Sequence, residues 1–356
     1  FMAIKEHFGN QALQKWDDKK AVARDPSALE KYRTMLAEQI QYFKVTQYFF
    51  FKQWTELKNY ANQKGIQIIG DMPIYVAADS VEVWTKPELF QLDEERNPLF
   101  VAGVPADQFS ATGQLWGNPL YAWEEHKKQG YAWWIHRIEE SFKIYDVLRI
   151  DHFKGFSDYW QVDGKAEVAK DGSWQPGPGY DLFKAVKEQL GDLPIIAEDL
   201  GNIDDKARKL LTDCNYPGMK ILQFGFEDVS GESLDSPHYC IPHSIVYTGT
   251  HDNDVTNGWY NSLTEQQQQY INDYTHRHED ESICQAMIRQ LFATVSNTAI
   301  ATMQDVLDLP ASSRMNVPST IGGNWQWRMQ QSDLTQDKKD FLEKMTTLYQ
   351  RANQEK

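Results

Sequence analysis

Four acidic residues occur in one recurring context. Asp71 ends IIGD, Asp151 ends VLRID, Glu198 lies in IIAED and Asp252 ends VYTGTHD. Each comes at the end of a short run of apolar, often β-branched residues, the pattern of a strand buried on both faces. Any one acid in that place is as readily a helix N-cap or a loop ion pair; four in series seldom arise that way. Carboxylates gathered at the carboxyl ends of parallel strands serve two common purposes, binding a divalent metal or cleaving a glycoside.

The neighbours favour glycoside chemistry. Arg149 lies two residues before Asp151, so on a strand the two side chains share a face. A guanidinium there pairs with a carboxylate nucleophile and would be unwelcome in a metal site. Glu198, kept protonated by burial and by nearby carboxylates, can give a proton to a leaving oxygen. His251, beside Asp252, can donate a hydrogen bond to a sugar hydroxyl, although alone it reads as a satisfied core histidine.

The elements that must position these residues follow from periodicity. Apolar runs at 66–69, 145–150, 194–197, 219–224, 244–247 and 299–303 read as strands. Helical patterns at 132–142, 180–190, 204–211 and 281–297 fall between several of them, which gives an α/β class. Asp25-Pro26 is a helix start, an N-cap followed by Pro in the first turn, and the apolar pattern then runs from about 29 to 60 before Gly65 stops it. Six strands fit either an open doubly wound sheet or part of a barrel. Acids at several strand ends favour the barrel, whose chemistry sits at that face.

Composition narrows the partners. The 356 residues carry 51 acidic and 36 basic side chains, a net charge of −15. That balance repels phosphate and argues against nucleic acid or an anionic membrane, while a neutral substrate is indifferent to it. Cys214, Cys240 and Cys284 are widely spaced and form no CxxC pair, so reduced thiols and a cytoplasmic setting are expected. No run reaches the roughly 18 apolar residues of a membrane span, and the first residues do not read as a signal peptide. With 12 Trp and 17 Tyr, aromatics reach 13% of the chain, which suits a large core and equally suits stacking on sugar faces.

Six longer stretches carry a resemblance. They are GDMPIYVAADSVEVW at 70–84, FSATGQLWGNPLY at 109–121, LRIDHFKGF at 148–156, AEDLG at 197–201, YTGTHDND at 247–254 and RMNVPSTIGGNWQWR at 314–328. In sequence and order they are similar to the 4-α-glucanotransferases, also called amylomaltases or disproportionating enzymes, which share their carboxylate plan with the α-amylase clan. The resemblance implies Asp151 as nucleophile, Glu198 as general acid/base and Asp252 as the third carboxylate, which binds ring hydroxyls and favours the distorted sugar. It implies Asp71, Arg149 and His251 around the donor sugar. It also implies a lid over the acceptor side at 104–121, with Phe109, Trp116 and Asn118 as contacts. Where the family often has PPDYF, this chain reads Pro105-Ala106-Asp107-Gln108-Phe109, so Gln108 removes one stacking ring.

The expected fold is a single catalytic (β/α)8 TIM barrel over 1–356, lacking the first two strands, with helical insertions near 1–64, 79–144 and 253–297. Family members carry well over a hundred residues before the point matching Phe1, in agreement with the six strands counted independently. The expected reaction moves an α-1,4-glucan segment, and it calls for no metal or organic cofactor. An α-amylase-type hydrolase uses the same carboxylates, so the motifs alone leave it open; the lid favours transfer by shielding the intermediate from water. A non-catalytic glucan-binding protein is disfavoured by the full set of carboxylates, and a metal-dependent isomerase or aldolase barrel by the lack of ligands.

Overall fold

The structure is a computed structural model, and residues 1–106, 111–201 and 203–352 are described. The described residues form ten strands: β1 (Ile69–Met72), β2 (Phe100–Val104), β3 (Gln114–Pro119), β4 (Val147–Ile150), β5 (Asp158–Asp163), β6 (Ser173–Pro176), β7 (Ile195–Ala197), β8 (Gly218–Ile221), β9 (Ser244–Tyr247) and β10 (Thr298–Ile300). They form two three-stranded sheets, ordered β1-β4-β7 and β10-β9-β8, and one four-stranded sheet, β3-β2-β5-β6. The chain divides into two compact units, Phe1–Tyr216 and Pro217–Lys356.

In the first unit β1, β4 and β7 run parallel, with Asp71 opposite Arg149 and Arg149 opposite Ile196. Leu148, Ile150, Ile195, Ile196 and Ala197 are buried, as expected for strands covered on both sides. The helices Ala132–Ile144 and Tyr180–Leu190 pack on each other and contribute Trp134, Ile138, Leu182, Phe183 and Val186 to the same core. Full burial of each such side chain stabilises by about 1.5–3 kcal/mol. Gly70 is required in β1 because a Cβ there would lie 2.1 Å from the Tyr145 ring.

The first strand differs from expectation. The run at 66–69 becomes strand only at Ile69, so Asp71 lies inside β1 and not beyond it. Side chains hold the earlier residues instead: Asn62 donates to the Ile66 carbonyl, and the Ile68 amide donates to Asp146 Oδ2 at 2.8 Å. The run at 219–224 likewise ends as strand at Ile221 and turns into a short helix, Leu222–Gly225.

Asp25 caps the helix Pro26–Met35, with Pro26 at its first turn, and the helix Ala37–Gln63 follows after Leu36. The antiparallel sheet was not visible in the sequence. Its strands β2 and β3 fall within 79–144, a stretch expected to be helical, and β3 occupies much of the segment 104–121 expected as a loop.

The second unit has its own core of Leu222, Phe226, Val246, Ile271, Met287 and Leu291 beside parallel β8, β9 and β10. Its helices Glu265–Thr275 and Ile283–Ala293 each begin with a full capping box, Thr264 with Gln267 and Ser282 with Gln285.

Candidate active site

The parallel ladder of the first unit continues one step past the strands and thereby fixes the acids. The Asp151 amide donates to the Met72 carbonyl at 3.0 Å, and the Glu198 amide donates to the Ile150 carbonyl at 3.0 Å. Arg149, nearly buried on β4, donates from Nη1 to Asp71 Oδ1 at 2.6 Å and to Asp151 Oδ1 at 3.1 Å. Both carboxylates keep about two-fifths of their side-chain surface open to solvent, whereas Arg149 keeps 9%. The guanidinium is therefore a fixed, enclosed charge from which two acids project. Burial opposes its charge, but Asp71, Asp151 and Glu198 outweigh burial and hold it protonated above the usual arginine range.

Glu198 is tethered at both oxygens. The His152 amide donates to Oε2 at 2.7 Å and the Leu200 amide to Oε1 at 2.9 Å. Burial pushes its carboxyl up to about 7; the Arg149 charge opposes, Asp151 adds to the rise, and the two amides pull it down. Near neutral pH such a group both gives and takes a proton. The His152 ring, by contrast, is pushed down to about 4 by burial, so at pH 7 it is a neutral imidazole and no acid.

From the antiparallel sheet, Trp116 on β3 meets the His152 ring edge-on, with centroids 4.8 Å apart at 90°, and lies 6.3 Å from the Tyr75 ring. Asn118, also on β3, donates to the Val76 carbonyl at 2.9 Å, tying the strand to the segment after β1. Trp116, His152 and Glu198 are thus joined by contact, while Asn118 is engaged by main chain. Phe109 and Gln108 lie outside the described residues.

The second unit holds Asp252 and His251 beyond β9. Asn316 donates to Asp252 Oδ1 at 2.6 Å, and Arg314 donates to the Asp252 carbonyl at 2.6 Å and to the Asn316 carbonyl at 2.8 Å. The Asn316 amide donates to the His251 carbonyl at 3.1 Å, so the segment from Arg314 folds back on the turn after β9. His251 Nε2 lies 3.4 Å from Asp252 Oδ2, and the Trp325 ring packs at 4.9 Å from the His251 ring. Below the turn, buried Asp305 accepts from Thr248 Oγ1 at 2.6 Å and from the Thr256 amide at 2.8 Å.

Sequence reasoning named the acids but missed several of the groups that hold them. The His152 and Leu200 amides carry no side-chain signal. Arg314, Asn316 and Trp325 all belong to the stretch 314–328, yet nothing in their spacing pairs them with a turn roughly sixty to seventy-five residues earlier.

A family model described as 4-alpha-glucanotransferase matches residues 1–335. The 4-alpha-glucanotransferase of Streptococcus pneumoniae serotype 4 is 53% identical over 355 residues, covering 99% of this chain and 70% of the relative. That of Clostridium butyricum is 42% identical over 356 residues, covering 99% of this chain and 72% of its own. Among solved structures, the amylomaltase from Streptococcus agalactiae in complex with acarbose superposes with a TM-score of 0.97 at 60% identity, covering 99% of this chain and 71% of that one.

Proposed function

The chain belongs to the 4-alpha-glucanotransferase family, and from that premise we propose that it moves an α-1,4-glucan segment from a donor to the 4-hydroxyl of an acceptor glucan or glucose. The reaction is a double displacement with net retention. Asp151 attacks the anomeric carbon of the donor through Oδ2, since Oδ1 accepts from Arg149. As the glycosidic C–O bond breaks, Glu198 gives its proton to the leaving 4-oxygen. A glycosyl-enzyme ester of inverted configuration results. The acceptor 4-hydroxyl then attacks the same carbon, Glu198 takes its proton, and Asp151 leaves.

Asp252 binds ring hydroxyls and favours the flattened sugar of the transition state. Asp71, Arg149 and His251 grip the donor sugar, and Phe109, Trp116 and Asn118 meet the acceptor side. The observation that carries this reading is the contrast between two neighbouring carboxylates. Asp151 is paired with an enclosed arginine, while Glu198 is pushed up to about 7 largely by burial. Environments that differ in this way separate a nucleophile from an acid/base.

The fold proposed with this reaction is part of a (β/α)8 barrel, a reading supported by a parallel three-stranded sheet within each unit, β1-β4-β7 in the first and β10-β9-β8 in the second. The three cysteines are unpaired, which fits a reducing, cytoplasmic setting. No described helix is long and apolar enough to cross a membrane.

Incubation with maltotriose tests the activity. A ladder of longer glucans alongside glucose is expected. Glucose and maltose as the sole products would replace the transferase reading with hydrolysis.

A further inference from the structure

Glu198 is gripped by two consecutive amides of a single turn. His152 donates to Glu198 Oε2 at 2.7 Å, and Phe153 donates to the Glu198 main-chain carbonyl at 3.1 Å. His152 stands at φ 47° and ψ 51°, a left-handed conformation that residues with a side chain seldom occupy. Such a backbone persists only where its surroundings impose it.

Two contacts and one missing side chain impose it here. The Gly155 amide donates to the His152 carbonyl at 2.9 Å and closes the turn. The His152 ring lies edge-on against the Trp116 indole. Gly155 lets the turn close on itself, since a Cβ there would come within 2.7 Å of Ile74 Cδ1 and 3.1 Å of His152 Cδ2.

We propose that His152 is a positioning residue for Glu198: Trp116 and Gly155 confine its ring, the confined ring keeps its backbone left-handed, and that backbone aims an amide at the acid/base carboxylate. The inference rests on the acid/base reading of Glu198. Trp116 thereby has a task beyond any contact with an acceptor sugar, because it couples the antiparallel sheet to the proton-transfer group.

The task has a readout in pH. The groups that face Glu198 are Arg149 on β4, Asp151 and His152 at its end, and Asp71 on β1 through Arg149. An amide bonded to the carboxylate favours its ionised form. A loosened turn withdraws that amide, so Glu198 stays protonated to higher pH, and the alkaline limb of kcat/KM moves up.

The test compares pH profiles of kcat/KM on maltotriose for the unaltered enzyme, Glu198→Gln, His152→Ala, His152→Asn and Trp116→Leu. His152→Ala and Trp116→Leu are expected to lower kcat by about tenfold and to raise the alkaline limb by roughly one unit. His152→Asn, which enters the left-handed region readily, is expected to recover most of the rate. Should His152→Ala fail to fold, the infrared band of the Glu198 carboxyl, identified by its loss in Glu198→Gln, carries the test in unliganded Trp116→Leu and should titrate at higher pH than in the unaltered enzyme. An alkaline limb and a carboxyl band that stay in place, with only KM raised, overturn the positioning role and leave Trp116 as a sugar contact alone. A Glu198→Gln enzyme with full activity overturns instead the acid/base reading beneath it.

Discussion

Glu198 and Asp252 both stand shortly beyond a buried parallel strand, yet they are held by different means. Glu198 is one residue past β7, and main-chain amides from the neighbouring β4 turn and from Leu200 fix its carboxylate. Asp252 is five residues past β9, and side chains from a segment about sixty residues later fix it: Asn316 at Oδ1 and Arg314 at its carbonyl. The donors of the first arrangement are main-chain amides, so only a change in the turns that aim them withdraws them. The second is assembled from replaceable parts. A group that must give and take a proton at a fixed place gains from the first kind of support. In the role proposed for Asp252, gripping sugar hydroxyls, the second kind suffices.

The comparison can be broken in order of expected effect. Asp151→Asn should lower transferase activity by roughly three or more orders of magnitude while the circular dichroism spectrum and Tm stay near those of the unaltered enzyme, since the nucleophile has no substitute. Retention of a tenth of the activity would remove Asp151 from that role. Asn316→Ala should lower kcat by about ten- to a hundredfold, because Asp252 loses its only described side-chain amide donor at Oδ1. Asn316→Asp should do at least as much harm by setting two carboxylates against each other. If either variant matches the unaltered enzyme, the support of Asp252 lies elsewhere.

The smallest effect is on stability. The Glu198 carboxyl is raised to about 7 in the folded chain, mainly by burial, so folding favours its protonated form. That favourable contribution is complete below the unfolded carboxylate range and is lost as pH rises through about 7. Glu198→Gln, which stays neutral throughout, should therefore raise Tm by a few degrees at pH 8 relative to the parent enzyme and change it little at pH 4. An equal change at both pH values would contradict the burial of that charge.

The same contrast explains what could be read from the sequence. Strands β4, β7 and β9 announce themselves as short, largely apolar runs because both faces are covered, and an acid follows each, one residue past β4 and β7 and five past β9. Arg149 and Asp151 share a face by simple alternation, and they share an ion pair in the structure. The antiparallel sheet gave no such signal. β5 and β6 read DYWQVD and SWQP, mostly polar with a few rings, and β5 takes its place through a pairing with β2 across a long stretch of chain. The strand expected at 66–69 lies instead at Ile69–Met72, with Asp71 inside it, because Asp146 and Asn62 take up hydrogen bonds of the preceding residues. The closure of 314–328 on Asp252 is a side-chain contact between loops, and no periodicity encodes it.

Mass spectrometry of Glu198→Gln mixed with an α-maltosyl fluoride tests the central claim most directly. Fluoride leaves without a proton, so the first displacement should proceed, while the second is starved of its base. The expected result is an enzyme carrying one maltosyl group, with the modified peptide mapping to Asp151. An unmodified enzyme that still turns over the fluoride, or an adduct on any other residue, would contradict a retaining mechanism through Asp151.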